Sequence, residues 1–554
     1  MAHTRDDTIR DMTKNYLDTI DPANPPSPAT INEGIIDTVA TAIRMENAMR
    51  EKGEKWRIPD RLIPNQIADI ILRLYPVANI ACMGTNGSSD YDLLAIYQTT
   101  GKNQGIYVSD EQYFKHIILQ YCYSVTQREI EETMALLKTR APRMTRCVDK
   151  DLIAVNNGIF NYDTKTLMPF DPNLVFIAKS KVDYNPTANN VIIHNKNDGT
   201  DWDVESWIED IADDKEVAQL IWELLGAIIR SNVSWNKSAW FYSNTGNNGK
   251  GTLCELMRQL CGDGTYASIP LSDFGKDFAL EPLTRATAII VDENDVGTFI
   301  DKAANIKALI TGDVIQINRK FKVPIAYKFK GFMVQCLNEM PRIKDKSDSF
   351  YRRQLFVPFT KCFTGKERKY IKDDYLKRKE VLEYVLFKVL NTNYYELSEP
   401  EVCKNALIIY KEFNDPVRQF VEEILPLCVW DLLPFNFLYD LYKAWFKKTS
   451  PNGTLQGRNT FVNDLINVIQ TNDEWISKGA RAKIWTGNKM DDPEPLIAEY
   501  DLKDWMEPKY VTSKDINAKC HPILQDNYRG LLRNKNKQVI VMNNTQDDQT
   551  YNYN

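Results

Sequence analysis

The sequence predicts an α/β fold with a parallel sheet at its centre, and three observations predict it. First, an apolar run, Ala239-Trp240-Phe241-Tyr242, enters the small and polar loop Asn244-Thr245-Gly246-Asn247-Asn248-Gly249-Lys250-Gly251-Thr252, and Leu253 to Leu260 follows with helical spacing. Strand, glycine-bearing loop, lysine and helix is the layout of a P-loop. Second, Arg285 to Val291 is an apolar strand ending in Asp292-Glu293, about forty residues downstream, a plausible interval for a strand on the same sheet. Third, Phe332 to Leu337 closed by Asn338, and Leu355 to Phe359 preceded by Arg352-Arg353, supply two more apolar strands. Open α/β sheets gather ligands beyond the carboxyl ends of their strands, where these polar residues fall.

Taken in chain order, residues 1 to about 60 read as charged helices, with a proline-rich loop from Pro22 to Pro28 and a helical pattern from Ile31 to Lys55. Ile67 to Tyr75 and Glu111 to Cys122 read as amphipathic helices, and Leu93 to Tyr97 as a strand. Asp90 and Asp92 form an Asp-x-Asp pair that suggests a metal-dependent primase. Primases of the archaeo-eukaryotic type also use a Ser-x-His element, which is absent around His3, His116, His194 and His521, so a plain turn is preferred. Leu152 to Tyr162 reads as a hairpin across Asn156-Asn157-Gly158. Val204 to Ile229 reads as one long helical stretch. Past the sheet, Phe435 to Phe446 and Thr460 to Ile469 are helices separated by Ser450-Pro451-Asn452-Gly453, with later strands and a polar tail expected to be disordered. This arrangement suggests a winged helix, or a small helical packing domain. Tyr528 to Lys537 is basic and suits DNA phosphates about as well as it suits a solvated face.

At 554 residues the chain should hold three or more domains, taking ~150 residues for each. The expected partition is an α+β region over 1–145, a segment preceding the core over 146–230, the P-loop core over 231–410, and a winged-helix-like region with its tail over 411–554. Ten scattered cysteines without a CxxC pair argue for a reducing cytoplasm and against a zinc ribbon. No apolar run reaches membrane-spanning length, and Met1 to Asp7 lacks the core of a signal peptide. A net charge of −6 gives no global nucleic-acid signature, so any such site must be local.

The loop departs from G-x-x-x-x-G-K-[ST] at two places. Asn244 stands at the first glycine position, where its tolerance of left-handed angles lets the turn form. Gly251 stands where a hydroxyl normally touches Mg²⁺, with Thr252 one place later. In a site of this kind Asp292 holds the metal and Glu293 polarises the attacking water, while Asn338 orients water or contacts the γ-phosphate. Arg352 and Arg353 are either surface charge or arginine fingers. Ile317 to Lys330 interleaves five basic residues with three aromatics and no acid, a pattern suited to a single nucleic-acid strand; alone, it is as readily a solvated hairpin.

This order of motifs resembles superfamily 3 helicases, most closely the poxvirus and phage/plasmid primase–helicase branch. The resemblance covers roughly residues 150 to 410 and is weak over 1–145 and over the C-terminal third. It implies an AAA+-like ATPase that forms a homo-hexameric ring around DNA, with ATP and Mg²⁺ bound between subunits. It implies phosphate contacts from Lys250 within the Asn244–Thr252 loop, metal and water at Asp292, Thr252 and Glu293, and a sensor at Asn338. A finger in trans comes from Arg352 or Arg353, the second slightly preferred. Arg319, Lys320, Phe321 and Lys322 match the pore hairpin that touches DNA. The implied function is ATP-driven unwinding during replication of a phage, plasmid or mobile element in a bacterial cytoplasm, with or without a separate primase. The alternative is an origin-binding or loading protein that uses ATP only to assemble. A small-molecule kinase built on Gly-Lys-Gly-Thr would not require the basic hairpin or the arginine pair.

Overall fold

The structure, a computed structural model, describes residues 3–82, 89–320, 322–449, 455–470 and 472–534. The chain divides into two compact units, Met1–Leu407 and Ile408–Asn554.

The first unit begins with helices Arg5–Asp18, Pro28–Ala48 and Pro64–Leu74. Pro28 starts the second helix instead of belonging to the loop before it. Ser27 caps it, and proline suits the first helical position, where no N–H is needed. That helix stops at Ala48, short of the expected Lys55. The helices pack on a four-stranded sheet that includes the expected strand Leu93–Tyr97. Asp92 is buried there and takes a two-pronged contact from Arg143, 2.6 Å from Nε and 3.2 Å from Nη2. A carboxylate held this way serves the fold, consistent with reading the Asp-x-Asp pair as a turn.

Leu152–Val155 and Gly158–Asn161 form the expected hairpin, with Gly158 paired to Val155, so the turn is Asn156-Asn157 alone. The stretch from Val204 to Ile229 is two helices, Val204–Ala212 and Lys215–Ile229. Asp213 closes the first in the left-handed conformation and Asp214 caps the second through Glu216 and Val217. Aspartate tolerates the first role and favours the second, so the adjacent pair breaks the helix.

These segments share one hydrophobic core with a five-stranded parallel sheet. Its elements are β1 (Ser238–Tyr242), α1 (Lys250–Cys261), β2 (Tyr266–Ala267), β3 (Ala288–Val291), the hairpin strands β4 (Val314–Arg319) and β5 (Lys322–Lys328), β6 (Phe332–Leu337) and β7 (Gln354–Pro358). The sheet order is β2-β3-β6-β1-β7, and every pair is parallel. β3 and β6 are buried along their whole length, as strands covered on both faces must be. The fold is thus mixed α/β with a central parallel sheet. Because β6 lies between β1 and β3, the polar residues after all three strands meet at one edge.

The second unit packs helices Pro416–Ile424, Phe435–Thr449 and Arg458–Ile469 against a small antiparallel sheet of Leu432–Pro434, Gly530–Arg533 and Trp475–Ser477. Its own aromatic core includes Trp430, Phe437, Tyr442 and Trp475. The expected turn at 450–453 and the polar tail from 535 lie outside the described residues. Among the described residues no helix is long and apolar enough to cross a membrane.

Candidate functional site

The site assembles at the carboxyl edge of β1, β6 and β3. Leaving β1, the chain forms a loop whose left-handed positions are Asn247 (φ 53°) and Gly249 (φ 86°). Asn244, expected to take that role, has an ordinary φ; its side chain instead accepts a hydrogen bond from the Tyr242 hydroxyl. Within the loop, Thr245 N donates to Ser243 Oγ at 3.3 Å and the Asn248 amide donates to the Thr245 carbonyl. Gly246 leaves open space where a Cβ would stand.

Lys250 opens α1 and is buried. Burial pulls its amine below the usual lysine range, partly offset by the Asp292 carboxylate nearby. Lys250 Nζ donates to Asn338 Oδ1 at 3.1 Å, so the structure brings together a loop lysine and a strand-end amide 88 residues apart. A buried ammonium held by one neutral amide is poised for an anion.

Gly251 faces Asp292. A Cβ on Gly251 would lie 2.7 Å from Asp292 Oδ1 and 3.2 Å from Oδ2. The place of the usual hydroxyl is therefore filled by the carboxylate itself. Arg258 Nη1 and Lys372 Nζ lie 3.8 and 3.9 Å from Asp292 Oδ2. Thr252 is half-buried and lines the cavity described below. The Asp292 carboxylate is a hard oxygen donor that suits Mg²⁺, and the cradle left by the missing Cβ keeps it against the loop at Gly251, whereas Thr252 is placed at the cavity. Behind Asp292, Cys254 Sγ and Cys336 Sγ are buried 3.3 Å apart, and these two sulfurs lie within 4.8 Å of an Asp292 oxygen. Glu293 is exposed at the same strand end.

Sequence reasoning missed several supports. Asn294 is buried and donates to Gln335 Oε1 and the Cys336 carbonyl, both at 3.0 Å, while Leu271 N donates to its Oδ1 at 2.8 Å. It fixes the exit of β3 against β6. Segment 360–367 braces the loop: Phe363 N donates to the Asn247 carbonyl at 2.8 Å, and the Asn247 amide donates to Glu367 Oε1 at 2.9 Å. Neither carries a motif, so no sequence signal marked them.

Beside the loop opens a cavity of ≈1120 Å³. Trp202, Trp207 and Phe363 give it apolar wall; Lys361, Lys366, Arg368, Lys369 and Lys372 stand among Asp201, Asp203, Asp210, Glu367 and Asp373, and Lys361 is paired with Asp210 and Asp213. Apolar walls with polar groups between them suit a base and sugar.

Of the arginine pair, Arg352 is exposed. Arg353 is half-buried, and its guanidinium donates to the Ser349 carbonyl and, at 3.0 Å, to Ser349 Oγ. β4 and β5 form an antiparallel hairpin with Ile315 and Ile317 facing inward. Lys320 is exposed at its turn, and its backbone N–H donates to Glu281 Oε2 at 3.3 Å. At the base of the hairpin, Arg146 Nη1 donates to the buried Tyr327 hydroxyl at 2.9 Å. Arg319 is half-buried; Phe321 and the side chain of Lys322 lie outside the described residues.

Three family models match the chain. One described as D5 N terminal like matches residues 46–212, and one described as poxvirus D5 protein-like matches 412–505. A family of unknown function (DUF5906) matches 241–353, the stretch from the loop to Arg353. The chain resembles D5-type phage and viral primase–helicases, as the order of motifs implied. The distribution differs from expectation. Named D5 matches reach into the N-terminal region and the C-terminal unit, where the motifs looked weak, whereas the motif-rich centre falls in the family without a known function.

A protein of Acanthamoeba polyphaga mimivirus named "Putative helicase L207/L206" is 26% identical over 242 residues, covering 40% of this chain and 23% of that protein. The chain thus spans about a quarter of that relative's length. Two apo structures of the NrS-1 C-terminal region are 11% and 13% identical, cover 74% and 75% of this chain and 90% and 97% of theirs, and reach a TM-score of 0.39, a likeness too weak to carry fold or function.

Proposed function

We propose that the chain is an ATP-dependent DNA helicase acting in replication of a phage, plasmid or other mobile element, with residues 231–410 as an AAA+-like P-loop ATPase and 411–554 as a winged-helix-like region with a polar tail. The observation that carries the reading is the meeting of Lys250, Asn338 and Asp292 at one sheet edge. The D5-like matches and the helicase-named relative support it.

In this reading the loop N–H groups and the α1 N-terminus cradle phosphate oxygens, and Lys250 supplies full positive charge. Asp292 and Thr252 would hold Mg²⁺, which when bound draws charge from the phosphate oxygens. Glu293, exposed beyond β3, positions and polarises the attacking water. Asn338 holds the Lys250 amine and senses the γ-phosphate. The cavity walled by Trp202, Trp207 and Phe363 takes the base and sugar. The site is closed by an arginine from a neighbouring copy in a ring, and Arg352 is better placed for this than Arg353, which already bonds Ser349. Arg319 and Lys320 on the hairpin contact DNA in the ring.

DNA-stimulated ATP hydrolysis tests the reading. Lys250→Ala and Glu293→Gln should each abolish it, and unchanged turnover in either variant contradicts the assignment. The alternative, an origin-binding or loading protein, is motivated by the absent hydroxyl at Gly251; assembly on ATP with no hydrolysis by the unaltered protein would favour it.

A further inference from the structure

The C-terminal unit carries a basic, aromatic stretch beside the basic segment that begins at Tyr528. The stretch Ser477 to Lys489 carries Lys478, Arg481, Lys483 and Lys489 and no acid. Its strand Ile484–Trp485 pairs antiparallel with Asn527–Tyr528, with Trp485 opposite Asn527. Alternation along the strand turns Ile484 into the core and sets Lys483 and Trp485 on the outer face.

Trp485 is 71% exposed, although most of the unit's tryptophans, Trp430, Trp445 and Trp475, are at most 2% exposed. Its ring is nevertheless held in place. A Cβ on Gly487 would lie 2.8 Å from Trp485 Cζ3 and 3.0 Å from Cε3, so the ring rests on the glycine backbone, which has φ 49°. Lys489 Nζ donates to the Trp485 carbonyl at 3.1 Å and stands 5.4 Å from the ring centroid. One side of the indole is thus supported and the rest faces solvent. Lys478, Arg481 and Lys483 are exposed alongside it in the chain, and Arg529 is exposed just after the partner strand. Of the acids close by in the chain or next to the partner strand, Glu474 is paired with Arg533, while Asp491, Asp492 and Asp526 are exposed.

We infer that Trp485 is a stacking platform for an unpaired base, and that Lys478, Arg481 and Lys483 hold the phosphates of the same single strand. A ring supported on one side, with a bare face and cations close by in the chain, offers both halves of what a nucleotide presents, the π-face and the charge. Duplex DNA offers phosphates but no free base face, so the indole selects the single strand. The inference rests on the nucleic-acid part of the proposed function and not on ATP turnover.

The test measures binding of a fluorescent oligothymidine and of a duplex to the 554-residue chain without nucleotide, across a salt series. Trp485→Ala should weaken oligothymidine binding about ten-fold, the scale of one lost base–aromatic stack, and leave duplex binding unchanged. Trp485→Phe should recover part of the loss. The triple variant Lys478→Glu, Arg481→Glu, Lys483→Glu should weaken both ligands and reduce the single-strand salt slope by about 2, at roughly 0.7 for each lost phosphate contact. A cooperative melt matching the unaltered protein establishes that each variant is folded. Unchanged oligothymidine affinity in Trp485→Ala, or equal losses on both ligands, overturns the inference. Active ATP hydrolysis with unaltered binding by these variants removes this site and leaves the helicase reading standing. Trp485-dependent binding by a chain that hydrolyses no ATP does the reverse.

Discussion

Restoring the customary hydroxyl at position 251 should damage the site. Gly251→Ser adds a Cβ that would lie 2.7 Å from Asp292 Oδ1, 3.2 Å from Oδ2 and 3.3 Å from Cγ. Ordinary contact begins near 3.4 Å, so Oδ1 must retreat by about 0.7 Å. Oδ2 and Cγ are also tighter than ordinary contact, so the whole carboxylate shifts. The retreat also disturbs the approach to Arg258 and Lys372 at 3.8 and 3.9 Å. Misplacing a reacting or ligating group by about 1 Å costs on the order of 100-fold in rate, so a loss of about 10- to 100-fold in ATP turnover is expected. Gly251→Ala should lose nearly as much, since the Cβ and not the hydroxyl causes the clash. Both variants should fold normally, because replacing a helical glycine gains up to ~1 kcal/mol, less in a first turn. The assay is steady-state hydrolysis at saturating Mg²⁺ beside a thermal melt. Equal or faster turnover by Gly251→Ser would refute the claim that Asp292 occupies the place of that side chain.

Other outcomes follow from the same geometry. Asn338→Ala removes the 3.1 Å partner of Lys250 from an exposed strand end and should slow hydrolysis by about 10- to 100-fold with stability changed by less than ~1 kcal/mol, read from turnover and denaturant melts. Lys250→Ala and Arg352→Ala should each be inert, yet an equimolar mixture should regain part of the turnover, since some shared sites then join an intact loop to an intact arginine; a mixture as inert as its parts would remove Arg352 from that role. Glu129 is held at about 2, below its ordinary 4.5, chiefly by its hydrogen bonds from Arg61. A depressed carboxylate stabilises the fold above its unfolded value, and that contribution is lost as pH falls from about 4.5 toward about 2. Glu129→Gln should therefore flatten this part of the acid limb in pH-dependent melts of the full chain.

What was legible in the sequence was local pattern. The strand before Asn244, the helix after Lys250 and the buried run into Asp292 follow from periodicity and composition over a few residues, and the structure has each. The single helix expected over Val204–Ile229 failed because Asp213 and Asp214 act as C-cap and N-cap, which the apolar spacing around them masked. The approach of Asp292 to Gly251 was not legible, since it depends on β6 lying between β1 and β3. The brace from Phe363 and Glu367 to Asn247 spans more than a hundred residues and uses backbone and amide groups that carry no signature. Trp485 shows a different limit. Its basic and aromatic neighbourhood has the same pattern that drew attention to Ile317–Lys330, but only the fold separates this exposed indole from the buried tryptophans of the same unit.

The most direct measurement is strand displacement on a forked duplex with ATP, comparing the unaltered chain with Glu293→Gln at matched DNA occupancy. The unaltered chain should unwind the fork while hydrolysing ATP, and Glu293→Gln should bind the fork and ATP but neither hydrolyse nor unwind. ATP-dependent assembly on the fork without displacement by the unaltered chain, or unwinding that persists in Glu293→Gln, would contradict it.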